Sequence, residues 1–144
     1  MKKTLFFVAT IMTILCASYT SSHAQIPEAF TFSDAYGHWE NPWNTVDYSE
    51  APAILEGRGA LLLDAYNLTE LRGFEILFLD YYEGELHYRF YDSRNRVIFE
   101  DGDYISGDYY ISNLPDTIRT IARIEFYFEN RDLTVIEEIL FYAN

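Results

Sequence analysis

Between residues 85 and 91 the chain alternates strictly: Leu86, Tyr88 and Phe90 are apolar, whereas Glu85, His87 and Arg89 are charged or polar. A period of two is the geometry of an extended strand, whose successive side chains point to opposite faces. It gives a helix no continuous apolar stripe. The preceding run, Ile76, Leu77, Phe78 and Leu79, is apolar at every position, as in a strand covered on both sides. A short acidic link containing Gly84 separates the two, so residues 74–92 read as a central β-hairpin.

The rest of the chain follows the same pattern on a smaller scale. Phe30 and Phe32 mark a first strand, and the Asp, Gly, Asn and Pro content of residues 34–44 reads as a loop. Gly57, Arg58 and Gly59 lie between two apolar runs, a setting for a tight hairpin in which glycine supplies positive φ. Residues 68–73 fit one helical turn closing at Gly73. The segment from Asp92 to Arg96 turns the chain into short strands at residues 97–99, 104–105 and 109–111, and a second helical turn fits at residues 114–117. Residues 121–128 and 134–142 close the chain. The last run has helical spacing at Val135, Ile136, Ile139 and Leu140, but its β-branched and aromatic content favours a strand. About eight short strands with turn signals between them and no sustained helix predict an all-β antiparallel sandwich, or jelly roll, over residues 25–144. A closed barrel is the alternative architecture.

Residues 1–24 read separately. Lys2 and Lys3 precede an apolar run over residues 5–17, and Ser22, His23 and Ala24 place small residues at a cleavage position, the pattern of a secretory signal peptide. The run is shorter than the roughly 20 apolar residues that span a bilayer, so membrane insertion after processing is not expected. The single cysteine, Cys16, falls in this segment, which leaves residues 25–144 without a disulfide or a thiol nucleophile. The expected location is secreted, periplasmic or at the cell surface. The whole chain carries 23 acidic against 10 basic residues, a net charge of −13; loss of Lys2 and Lys3 takes it to −15. Such a surface repels nucleic acid and anionic membranes.

No glycine-rich phosphate loop, His-Glu-x-x-His pair or Gly-x-Ser-x-Gly elbow is present. Of the histidines only His38 and His87 remain after residue 24; the many carboxylates could supply a glycosidase-like acid–base pair, which needs two at a set separation that a sequence does not show, and the expectation is a non-catalytic protein. The best candidate site is the stretch holding both tryptophans, with Tyr36, His38, Trp39, Asn41, Trp43 and Asn44 as ligand-binding residues. Aromatic faces stack on the apolar faces of sugar rings, while Asn, Glu and His pair with hydroxyls. One or both tryptophans plugging the end of the sandwich is the competing role. Asp101, Asp103 and Asp108 concentrate oxygen ligands of the kind calcium favours. Asn67, Leu68 and Thr69 form a glycosylation sequon. In the pairs Tyr81–Tyr82 and Tyr109–Tyr110, one ring of each is expected to face out.

The order from Leu71-Arg72-Gly73-Phe74 through Tyr88-Arg89-Phe90-Tyr91-Asp92-Ser93 to Ile124-Glu125-Phe126-Tyr127-Phe128 and Ile136-Glu137-Glu138-Ile139-Leu140-Phe141-Tyr142 resembles the galactose-binding-like β-sandwich modules of secreted bacterial proteins, the discoidin-like and carbohydrate-binding group. The last two strands carry most of the likeness. The resemblance implies a jelly-roll sandwich, often with a structural calcium, and a ligand site made by loops with exposed aromatics at one end. The implied partner is a carbohydrate. A structural or adhesive role, in which a sheet face or edge packs against another envelope or extracellular protein, is the alternative.

Overall fold

The computed structural model describes residues 24–26, 28–47, 50–66, 68 and 70–143. Among the described residues six strands form: β1 (Ala24–Gln25), β2 (Phe30–Glu40), β3 (Ala53–Ala65), β4 (Glu70–Tyr91), β5 (Val97–Arg119) and β6 (Arg123–Ala143). One 3-10 turn, Pro42–Thr45, follows β2. All pairings are antiparallel, in the order β2-β3-β6-β4-β5, with β1 added to β6. The sequon residues Asn67 and Thr69, and the expected signal peptide as far as residue 23, lie outside the described residues.

The expected all-β sandwich forms, but from fewer and longer strands. Residues 74–92 are not a hairpin; β4 runs through them unbroken for 22 residues. From residue 74 to 90 its buried positions are the even ones, with Phe74, Ile76, Phe78, Tyr82, Leu86, Tyr88 and Phe90 all in the core. Leu77 is half-buried and Leu79 is 57 % exposed, so the apolar run is covered on one face only. The expected short strands after residue 97 merge into β5, because Gly102, Asp103 and Gly107 keep their partners His87, Leu86 and Tyr82 in β4. A satisfied ladder outweighs the local turn preference of Gly and Asp. Residues 114–117, expected as a helical turn, stay within β5, and residues 70–73 open β4. Gly57 takes φ +75° at a bulge inside β3 rather than in a hairpin turn.

Two layers arise because the long strands fold back on themselves. Phe74 and Tyr88 are fourteen residues apart on one strand, roughly 46 Å if it were straight, yet their ring centroids are 4.8 Å apart. Phe74 also meets the Phe126 ring at 5.0 Å. Residues 70–78 of β4, with the matching parts of β5 and β6 and with β1, therefore form one layer. The second layer contains β2, β3, residues 84–91 of β4, residues 97–107 of β5 and residues 123–130 of β6. Phe30 and Phe141 close the other side of the core at 4.4 Å, and the Tyr88 hydroxyl pairs with Ser112 Oγ across the interior at 2.9 Å.

The bend itself is at residues 79–83. There the β4–β6 ladder is interrupted between Phe78–Ile136 and Gly84–Asn130. β4 also inserts extra residues against β5 between Leu77–Tyr109 and Tyr82–Gly107. Tyr82 anchors the bend from inside: its ring stacks on Phe78 at 4.7 Å, its hydroxyl donates to the Glu85 carbonyl at 2.8 Å, and burial pushes its phenol pKa up. Gly84 is needed because a Cβ there would stand 2.2 Å from the Glu129 carbonyl oxygen.

The true hairpin joins β4 to β5. Asp92 Oδ1 accepts the amide hydrogens of Arg94 and Arg96, and its Oδ2 accepts from Arg96 Nε. The hydrogen bond from the Arg96 side chain leads the effects that hold the Asp92 pKa below the ordinary value, followed by the bond from the Arg96 amide. A depressed native pKa stabilises the fold fully above the unfolded value of about 3.9, and that contribution is lost as pH falls through the lower native value. Asp92→Asn is therefore expected to destabilise at pH 7, with the gap to wild type closing in denaturation curves taken at successively lower pH below 4. Phe74→Ala, which removes the ring joining the layers, is expected to cost about 3–5 kcal/mol in urea unfolding.

Candidate functional site

The tryptophan stretch is divided by the structure. Tyr36, His38 and Trp39 lie in β2, where they pair with Ala60, Glu56 and Leu55. Tyr36 and His38 are exposed. Trp39 is half-buried, edge-on to Phe128 with centroids 6.1 Å apart, and its Nε1 donates to the Tyr36 carbonyl at 3.0 Å. Asn41 adopts φ 50° to start the 3-10 turn. Asn44 is 5 % exposed, and its Nδ2 donates to the Ala51 carbonyl at 2.9 Å. That makes it a brace for the loop, with its amide turned away from solvent. Trp43 is 49 % exposed and meets Phe32 edge-on at 6.3 Å. With Phe32, Tyr66, Thr31 and Asp47 it lines a groove of about 320 Å³ on the flank of the sandwich. The six expected residues thus do not converge on one pocket, because alternation along β2 and the turn after Glu40 send them in different directions.

A larger cleft, of about 810 Å³, opens where the strands bend between layers. β3 contributes Gly57 and Arg58, β4 contributes Tyr81, Glu83, Gly84 and Glu85, β5 contributes Tyr104, and β6 contributes Glu129, Asn130 and Asp132. The bulge at Gly57 carries Arg58 to the cleft. Arg58 is exposed, and no ion pair to it forms among the described residues. Tyr81 is 64 % and Tyr104 60 % exposed. The Tyr104 hydroxyl donates to Glu83 Oε1 at 3.2 Å, and Tyr81 is hydrogen-bonded to Ser106 Oγ. Asn130 is braced within β6: its Oδ1 accepts the Asp132 amide at 3.2 Å. Two aromatic faces beside a guanidinium, an amide and several carboxylates make a surface that stacks on a ring and pairs with its hydroxyls.

The sequence offered one clue to this cleft, the tyrosine pairs. Tyr81 and Tyr109 face out, while Tyr82 is buried and Tyr110 half-buried, as alternation requires. It offered no clue that Arg58 would meet Tyr81 and Asp132. The carboxyl whose pKa burial pushes up, Glu138, lies opposite Leu77 in the other layer and does not line the cleft.

The expected calcium ligands do not assemble. Asp101, Asp103 and Asp108 belong to one extended strand, so the first and last are roughly 23 Å apart along it. Asp101 and Asp103 turn their Oδ1 atoms to the neighbouring amides of Gly102 and Tyr104. Among the described residues no group of three or more His, Cys, Asp or Glu side chains is placed to hold a metal ion. No helix among them is long and apolar enough to cross a membrane.

No protein-family profile matches the sequence, and neither does any curated protein. Solved structures do match. A Streptococcus pneumoniae fucose binding module is 12 % identical, with a TM-score of 0.62 over 88 % of this chain and 99 % of that one. The family 32 carbohydrate-binding module of C. perfringens NanJ, solved in complex with galactose, is 11 % identical, with a TM-score of 0.66 over 84 % of this chain and 99 % of that one. A Ruminococcus gnavus GH29 fucosidase in complex with fucose is 15 % identical, with a TM-score of 0.54 over 70 % of this chain and 22 % of the enzyme.

Exposure separates the two asparagine and tryptophan roles. Asn44→Ala removes the hydrogen bond that a buried side chain gives to the Ala51 carbonyl and is expected to cost about 0.5–1.5 kcal/mol. Trp43→Ala removes a half-exposed ring and is expected to lower the melting temperature much less in the same thermal unfolding experiment. The chain has the antiparallel β-sandwich fold of the family 32 carbohydrate-binding modules.

Proposed function

We propose that the protein is an exported, non-catalytic module that binds carbohydrate in the cleft at the strand bends. The observation that carries this reading is the convergence of exposed Tyr81 and Tyr104 with the unpaired Arg58 in one open cleft. Solvated, preformed and built on rigid strands, these side chains offer stacking and planar hydrogen bonding at little ordering cost. The neighbours support the class of ligand: modules of similar fold have been solved with galactose and with GalNAc-β-1,3-galactose, and another is a fucose binding module. Export rests on the pattern of residues 1–24.

A second location for the same function is the flank groove at Trp43, favoured by the exposure of that ring beside Tyr66 and Phe32. A glycan array decides between them. Arg58→Ala is expected to weaken retention of the bound glycan by about tenfold or more, the loss of charge-assisted hydrogen bonds, while Trp43→Ala leaves it within about twofold. The reverse pattern moves the site to the groove, and retention of no glycan by the wild type removes the function.

A further inference from the structure

The outer face of the five-stranded layer carries a row that crosses every strand. Tyr36 in β2 stands opposite Ala60 in β3, Ala60 opposite Tyr127 in β6, Tyr127 opposite His87 in β4, and His87 opposite Gly102 in β5. Directly opposed residues share a face, so three rings and the two smallest side chains lie in one line. With strands about 4.8 Å apart, the line is about 19 Å long. Tyr36 is 59 % exposed. The His87 and Tyr127 rings are 6.4 Å apart. A Cβ at residue 102 would stand 2.6 Å from His87 Nδ1, so the imidazole lies over β5 in the space that glycine leaves.

Charged rows flank this line on both sides. One runs through Leu62, Glu125, Arg89 and Glu100; the other runs through Arg58, Glu129, Glu85 and Tyr104. The first row is tied by the Arg89–Glu100 contact at 3.2 Å and the longer Arg89–Glu125 contact at 4.0 Å. A recess of about 310 Å³ among His87, Arg89, Glu100 and Asp101 lies at the β5 end of the line. The second row is also the rim of the cleft at the bends, since Arg58, Glu85, Tyr104 and Glu129 line it. Cleft and face are therefore continuous.

We infer that the module binds an extended neutral glycan chain, with one unit held in the cleft and the following units laid along the row of Tyr36, Tyr127 and His87. This rests on the proposed carbohydrate site and adds the form and charge of its ligand. Rings set on a flat sheet offer stacking to successive sugar units. In the first row Arg89 is engaged by Glu100 and Glu125, and in the second Glu85 is paired with His87, so among the described residues of the two rows Arg58 is the one cation left to receive hydroxyls, and it stands among carboxylates. Four carboxylates in the two rows, on a protein of net charge −13, repel uronic, sialic or sulfated chains.

The test is an array displaying the same neutral repeat as one, two, four and six units, beside acidic chains of equal length. Wild type is expected to bind six units at least tenfold more tightly than one. Tyr36→Ala and His87→Ala, both at exposed positions, are expected to abolish that gain with single-unit binding unchanged, and Arg58→Ala to weaken every length. Equal affinity for one and six units, variants that keep the gain, or preference for acidic chains would overturn the inference and leave the cleft standing. Retention of no chain of any length would overturn both.

Discussion

The contact between Phe74 and Tyr88 is the one on which the rest of this molecule depends. Two residues of a single strand, fourteen positions apart, meet ring edge to ring face at 4.8 Å, and they meet only because β4 reverses its path through space without leaving the sheet. Tyr82 fills the inside of that bend, and Gly84 admits the Glu129 carbonyl to within a distance that no side chain allows. The core that results is rich in rings: Phe74, Phe90, Phe126 and Phe128 are fully buried. Burial of large aromatic area suits a domain whose residues 25–144 hold no cysteine to form a disulfide.

The bend also makes the cleft proposed as the site. Where β4 parts from β6 and inserts residues against β5, the sheet cannot close, and the side chains around the gap face solvent while their backbones stay in the ladder. The cleft residues are held by strands on all sides, which limits the entropy lost on binding. Short-range bonds tune them further: Tyr104 to Glu83, Tyr81 to Ser106, and Asn130 to the Asp132 amide. The same strands continue into the outer face of the five-stranded layer, so the cleft rim and the row of Tyr36, Tyr127 and His87 are parts of one surface.

Particular residues show how far the sequence could be read. The alternation of Leu86, Tyr88 and Phe90 with Glu85, His87 and Arg89 was legible because it reflects one strand with one wet face. The turn at Asp92 was legible because its carboxylate and the following amides are local. Gly57 and Gly84 misled, since a glycine that makes a bulge inside a strand, or one that admits a neighbouring carbonyl, looks in a sequence like one that makes a turn. Asp101, Asp103 and Asp108 resembled a loop of ligands only while Gly102 and Gly107 were taken as turn residues. Of the tryptophan stretch, the sequence left open whether Trp39 and Trp43 would be exposed or plug the sandwich, and it gave no sign that Asn44 would be buried.

By itself the sequence determined the strand character of the chain, its acidic surface and the enrichment in rings that a half-buried sheet accepts, because these follow from nearest-neighbour geometry and from composition. Only the tertiary structure decided that eight short strands would be six, three of them more than twenty residues long. It alone brought Arg58 of β3 to Tyr81 of β4, Tyr104 of β5 and Asp132 of β6. Those residues are joined by register between strands, and register is set by packing over the whole core.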